Sequence, residues 1–135
     1  MSPSLTIQFI VVGVDKCGTS ALAKFLMQHS KVSFLGETYF FNRDYGRGLE
    51  YYKLLGAGVP SENTLFEKSP TYYKSLTVPK YIRDMDPKTK IVLVTCNNVR
   101  RLLSRYSADY IFKIYLIIFG RNIDQFNSTV ESYRG

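Results

Sequence analysis

Short apolar runs alternate with longer amphipathic stretches along this chain. Phe9–Val12 is a continuous apolar run closed by Gly13, the pattern of a strand buried on both faces. Thr19–His29 follows, with Ala21, Leu22, Phe25 and Leu26 spaced to form one apolar helix face. Lys31–Leu35 reads as a second strand, and Gly48–Leu55 as a short helix stopped by Gly56. Leu65 and Phe66 suit a short third strand that runs into Glu67, Lys68, Ser69 and Pro70. Val78–Met85 predicts a helix with Pro79 in its first turn, where a missing N–H costs nothing. Lys90–Thr95 is the clearest strand signal, and Asn98 to about Tyr110 predicts a last helix. From about Asn122 onward no period is visible.

Strands alternating with helices predict an α/β fold on a central, mostly parallel sheet. Ligands in such sheets bind outside the carboxyl ends of the strands. The segments that carry candidate chemistry all follow predicted strands. No repeat, low-complexity segment or linker interrupts the chain, so residues 1–135 read as a single domain.

Composition adds a bias in partners. The chain has 18 Lys and Arg against 11 acidic residues, a formal charge of +7, which favours anionic partners such as nucleotides or acidic glycans. At 45% hydrophobic and 15% aromatic it is a folding composition, not a disordered one. Cys17 and Cys96 read as buried strand-end residues, and two cysteines make no disulfide scaffold and fix no compartment. One His without a Cys/His cluster argues against structural zinc. No charged leader with a separate apolar stretch is visible at the start. The longest apolar run, Ile111–Phe119, contains Lys113 and is about half the ~20 residues a spanning helix needs, so a soluble chain is expected. Asn127, Ser128 and Thr129 form a glycosylation sequon.

The loop from Gly13 to Ser20 has the parts of a phosphate cradle. Gly13 and Gly18 permit a tight turn and close backbone approach. The helix head beyond them offers N–H groups and a positive dipole end. Thr19 and Ser20 add hydroxyls, and Lys16 adds a charge. It is not the ATPase pattern, which puts lysine directly after the second glycine, because Thr19 stands there. Taken alone, the segment favours the anion site over the alternative, a glycine-bearing turn with an exposed lysine.

Five segments in order resemble the heparan sulfate sulfotransferases of the Golgi. Phe9–Leu22 resembles that family's 5′-phosphosulfate loop, and Glu37-Thr38-Tyr39-Phe40-Phe41 its E-x-H-F-F segment. Gly48-Leu49-Glu50-Tyr51-Tyr52 is similar to its G-L-x-W-Y segment, and Glu67-Lys68-Ser69-Pro70-Thr71-Tyr72-Tyr73 to its E-K-[ST]-P-x-Y-F. Lys90–Tyr106 resembles its strand, R-[DN]-P-V-x-R-x-x-S-x-Y and helix. The match spans residues 7–110, leaving 111–135 as a divergent tail, and within the family it inclines toward the glucosamine 3-O-sulfotransferases.

The resemblance implies a P-loop-like three-layer α/β fold. It implies 3′-phosphoadenylyl sulfate (PAPS) as sulfuryl donor, no required metal, a heparan sulfate acceptor and work in the Golgi lumen. It further implies that Lys16 stabilises the leaving oxygen, with Cys17, Gly18, Thr19, Ser20 and Ala21 around the 5′-phosphate. Glu37 takes the catalytic base position, Lys68 points into the active site, and Cys96 and Ser104 occupy the 3′-phosphate positions. Outside that frame, Glu37 reads as a surface carboxylate and Lys68 as half of a Glu67–Lys68 surface pair worth about 0.5 kcal/mol. Arg100, Arg101 and Arg105 suit either an anion or a solvated helix face.

Several positions depart from the family pattern. Cys96 stands where the family has an arginine, a loss worth about 2–3 kcal/mol in a charged contact. Tyr39 replaces a histidine, Asn98 a proline, and Ser20 a frequent arginine. The family's domain is about twice as long, so an incomplete domain with an uncovered sheet edge is expected. Rival readings are a binding remnant without turnover, an N-sulfotransferase, or an NTPase. Nucleic acid is disfavoured, since the basic residues do not interleave with aromatics in a recognised module.

Overall fold

The computed structural model describes residues 6–119. Four parallel strands form one sheet in the order β2-β3-β1-β4, with β1 at Phe9–Gly13, β2 at Val32–Phe34, β3 at Thr64–Lys68 and β4 at Lys90–Leu93. Helix α1 spans Thr19–Leu26, α2 Leu49–Leu55, α3 Val78–Met85 and α4 Asn98–Phe119. The chain divides into two compact units, Met1–Cys96 and Asn97–Gly135, so the sheet and the first three helices belong to one unit and α4 to the other.

Period-2 alternation in the central strands gives the sheet two apolar faces. Ile10 and Val12 of β1 and Leu65 of β3 join Phe40, Phe41, Tyr52, Tyr72, Val78 and Ile82 in one core, beneath α2 and α3. Val11 and Phe66 point the other way, with Ala23, Leu22 and Leu26 of α1. Fully burying side chains of this size contributes about 1.5–3 kcal/mol each. Phe66 is stacked between Phe9 and Phe34, each at 4.9 Å. Phe40 stacks on Tyr52 at 4.5 Å, which fastens an aromatic turn at Phe40–Asp44 against α2.

The differences from the sequence reading are physical. Helix α1 stops at Leu26 and not His29, because Gln28 and His29 donate to the carbonyls of Phe25 and Leu26 in tighter turns leading into β2. Its buried stripe is Thr19, Leu22, Ala23 and Leu26, while Ala21 and Phe25 face solvent. Strand β3 includes Glu67 and Lys68, because both pair with β1, opposite Ile10 and Val11. Strand β4 is shorter than expected and lies at the sheet edge, where Ile91 and Leu93 are each 53% exposed. Strands β2 and β4 are the two edges of the sheet.

In its own unit, α4 is capped by Asn97, whose Oδ1 accepts from Val99 N at 3.0 Å and Arg100 N at 3.2 Å. It runs past Tyr110 to Phe119. Among the described residues no helix is long and apolar enough to cross a membrane. The sequon at Asn127 lies outside the described residues, as does the stretch from Asn122.

Candidate active site

The sheet unit gathers its polar chemistry where parallel strands should put it, at their carboxyl ends. The loop after β1 is tied to β4 by Val14 N to Val94 O and Val94 N to Gly13 O, both 2.8 Å. A Cβ at Gly13 would collide with the Tyr73 ring and sit 3.1 Å from the Pro70 carbonyl oxygen, so this close approach needs glycine. Asp15 is buried in the loop, accepting from the Tyr73 hydroxyl at 3.0 Å and pairing with Lys74 at 3.2 Å. Lys16 and Gly18 adopt left-handed backbone, φ 65° and 88°. Gly18 opens α1, and no side chain caps that helix head. Its first-turn N–H groups and dipole make the place suited to an anion.

A chain of polar contacts leads from that head across the strand ends. Lys68, the last residue of β3, donates to Ser20 Oγ at 2.9 Å and pairs with Glu37 Oε1. The hydroxyl of Tyr39 donates to the other carboxylate oxygen of Glu37 at 2.9 Å. The Lys68 side chain is only 4% exposed, whereas Glu37 keeps 39% of its own open to solvent. Burial first, and then the Glu37 hydrogen bond, push the Tyr39 phenol well above its ordinary pKa, so it stays a proton donor. The guanidinium of Arg43 lies over the Tyr39 ring, 4.3 Å from its centre.

What holds this arrangement in place is a second carboxylate. Glu67 is fully buried and faces the opposite side of β3 from Lys68. It accepts from Thr38 Oγ1 at 2.7 Å, Ser69 Oγ at 2.6 Å, the Tyr72 hydroxyl at 2.7 Å and the Tyr52 hydroxyl. Ser69 Oγ also accepts from Tyr39 N at 3.0 Å. Thr38 and Tyr39 directly follow Glu37 in the chain, so the buried hub sets where the half-open carboxylate stands. Burial first, then the charge of Glu67, raises the phenols of Tyr52 and Tyr72 far above their ordinary value.

The sequence-predicted residues are placed as follows. Glu37, Lys68 and Ser20 come together through Lys68. Lys16, Gly18, Thr19 and Ala21 lie on the adjoining loop and helix head, with Thr19 buried and Ala21 exposed. Cys17 and Cys96, expected buried, are half-buried and exposed, and they are joined as a disulfide with Cα atoms 5.3 Å apart. Ser104 is an exposed residue of α4, in the other unit. Glu67 and Lys68 are no surface pair, since they point to opposite faces. Thr38, Tyr52 and Tyr72 escaped notice although each lies within a segment already singled out; a hydroxyl-bearing residue in every such segment was the available signal.

The sulfotransferase domain profile matches residues 6–133. The chain belongs to the sulfotransferase family. Among curated relatives of this sulfotransferase chain, heparan sulfate glucosamine 3-O-sulfotransferase 6 of Mus musculus is 41% identical over 101 residues, covering 74% of this chain and 30% of that protein. The bifunctional heparan sulfate N-deacetylase/N-sulfotransferase 3 of Mus musculus is 36% identical over 110 residues, 73% of this chain and 12% of the relative. The crystal structure of a sulfotransferase from Alicyclobacillus acidocaldarius superposes with a TM-score of 0.69 at 26% identity, covering 81% of this chain and 52% of that one. The chain thus spans about 30% of the length of the first of these curated relatives. The parallel α/β sheet is the sulfotransferase fold.

Proposed function

We propose that this chain is the donor-binding part of an enzyme that transfers the sulfuryl group of PAPS to a glucosamine of heparan sulfate, at the 3-hydroxyl. One observation carries the reading most: a single buried lysine, Lys68, links the anion-suited head of α1 through Ser20 to the half-open carboxylate Glu37. A donor site and a base must be neighbours for in-line transfer, and this linkage supports that reading. The names of the relatives support the acceptor class, and the +7 charge suits a polyanion.

The loop fits the phosphosulfate end of the donor. Left-handed backbone at Lys16 and Gly18 turns the chain into a cradle, and Cys17, Gly18, Thr19, Ser20 and Ala21 border it. When bound, PAPS supplies the sulfuryl group and a phosphate leaving group. Lys16 and Lys68 neutralise charge that grows on the leaving oxygen. Glu37 accepts the acceptor hydroxyl's proton. Its two oxygens each accept one bond, from Lys68 and Tyr39, and each keeps a second lone pair for the acceptor's proton. As Lys68 lends its charge to the donor, its hold on Glu37 loosens and that carboxylate oxygen opens to the acceptor. The 3′-phosphate end fits less well, because Cys96 is bound in a disulfide and offers no cation.

That mismatch favours a second reading, in which the chain binds the donor or glycan without turnover. N-sulfation of a glucosamine amine uses the same groups and stands beside 3-O transfer. The working compartment in this reading is the Golgi lumen, and the disulfide supports an oxidising one. Sulfate transfer from PAPS to desulfated heparan sulfate tests the proposal. Replacing Glu37 by Gln should lower the rate by about 10²–10⁴-fold while adenosine 3′,5′-bisphosphate still binds. An unchanged rate removes Glu37 from the role, and binding without transfer in the unaltered chain supports the second reading.

A further inference from the structure

We infer that the Cys17–Cys96 disulfide is the positioning device of the anion loop, making donor affinity sensitive to thiols. This rests on the reading that the loop holds the donor's phosphates. Cys17 sits between the two left-handed residues of the loop, Lys16 at φ 65° and Gly18 at φ 88°. Glycine takes that conformation freely, but lysine keeps it only where its surroundings hold it. Two devices hold it here. Hydrogen bonds from Cys17 N to Val14 O at 3.1 Å and from Val14 N to Val94 O at 2.8 Å tie the base of the loop to the end of β4. The disulfide ties its crown to the same strand end, two residues further along, across 79 residues of sequence. Cys96 Sγ also rests 3.9 Å from the Lys16 carbonyl oxygen; a disulfide sulfur has no proton to donate, so this contact is packing.

Neither cysteine belongs to the two apolar cores, which are built around Ile10 and Val11. Cutting the bridge therefore loosens the loop and leaves the cores in place. Cys96 is exposed, so a small thiol reaches it. A dithiol attacks one sulfur, leaves the second as a thiol, and closes to its own disulfide. Two electrons and two protons pass to the protein, which gains two free thiols. A loop that samples several conformations binds with its affinity reduced by the fraction in the competent one.

Calorimetric titration of the full chain with adenosine 3′,5′-bisphosphate tests this, with far-UV circular dichroism alongside. The oxidised chain should bind. Dithiothreitol should weaken binding about tenfold, as expected if about a tenth of loop conformers stay competent, with an unchanged dichroism spectrum. Reoxidation should restore the affinity. Cys17→Ser and Cys96→Ser should each bind like the reduced chain and ignore the reductant. Equal affinity before and after reduction overturns the inference alone. A spectrum lost on reduction overturns it too, since the bridge is then a general staple. An oxidised chain that does not bind overturns the donor-site reading, and this inference with it.

Discussion

Two carboxylates near the ends of neighbouring parallel strands meet opposite fates. Glu67 is sealed in the core, and its acceptors are taken by Thr38, Tyr52, Ser69 and Tyr72. Glu37 stands half-open, held by one lysine and one tyrosine. Both are hydrogen-bonded to a tyrosine, so the partner type does not separate them. Access does. A buried carboxylate satisfied by hydroxyls is a fixed anchor that exchanges nothing with solvent. A carboxylate open on one side can meet an acceptor and take its proton. The alternation of β3 lets both be built at once, since Glu67 serves the anchor on one face and Lys68 reaches Glu37 on the other.

The comparison breaks most sharply at Glu67. Changing Glu67 to Ala strands several buried hydroxyls at about 1–3 kcal/mol each, so a loss of about 4 kcal/mol in urea unfolding is expected. Changing Glu37 to Gln should move the same measurement by only about 1 kcal/mol, because the amide oxygen still accepts from the buried Lys68 and the residue is partly open to solvent. Equal losses would erase the distinction between anchor and site.

Alkali probes the anchor next. Tyr52 and Tyr72 have folded pKa values raised above their ordinary value of 10. The stability they contribute is complete below pH 10 and is lost as pH climbs toward the folded values. Tyr52 and Tyr72 should ionise in a step coincident with loss of circular dichroism. A single smooth tyrosinate curve near pH 10 with the spectrum intact would contradict this. The smallest effect belongs to Tyr39→Phe, which removes one donor from Glu37. It should lower transfer roughly threefold to tenfold, about 1 kcal/mol, and shift the pH–rate profile with stability little changed. A pH profile that does not move would deny Tyr39 its hold on Glu37.

Much of the frame was legible because it depended on local pattern. The apolar run of β1 announced a strand buried on both faces, and it is. The glycines at 13 and 18 announced a tight loop, and one is needed for close approach, the other for left-handed backbone. Elsewhere the deciding contacts were distant in sequence. The polar end of β3 hid its length, because Glu67 is satisfied by Thr38 and Tyr52 from other elements. The aromatic turn at Phe40–Asp44 has no period to read, since it is held by stacking on α2. The Cys17–Cys96 pairing depends on two loops meeting at strand ends, which spacing does not encode. Strand β4 reads as buried from its apolar run, yet lies at an edge with one apolar face uncovered.

The central claim is that the donor's phosphates sit at the head of α1 under Lys16. Its most direct test is the affinity of the oxidised chain for adenosine 3′,5′-bisphosphate, compared with that of Lys16→Ala at one salt concentration. Loss of a charged contact there should weaken binding about tenfold to a hundredfold. Equal affinities for the two proteins would contradict the account.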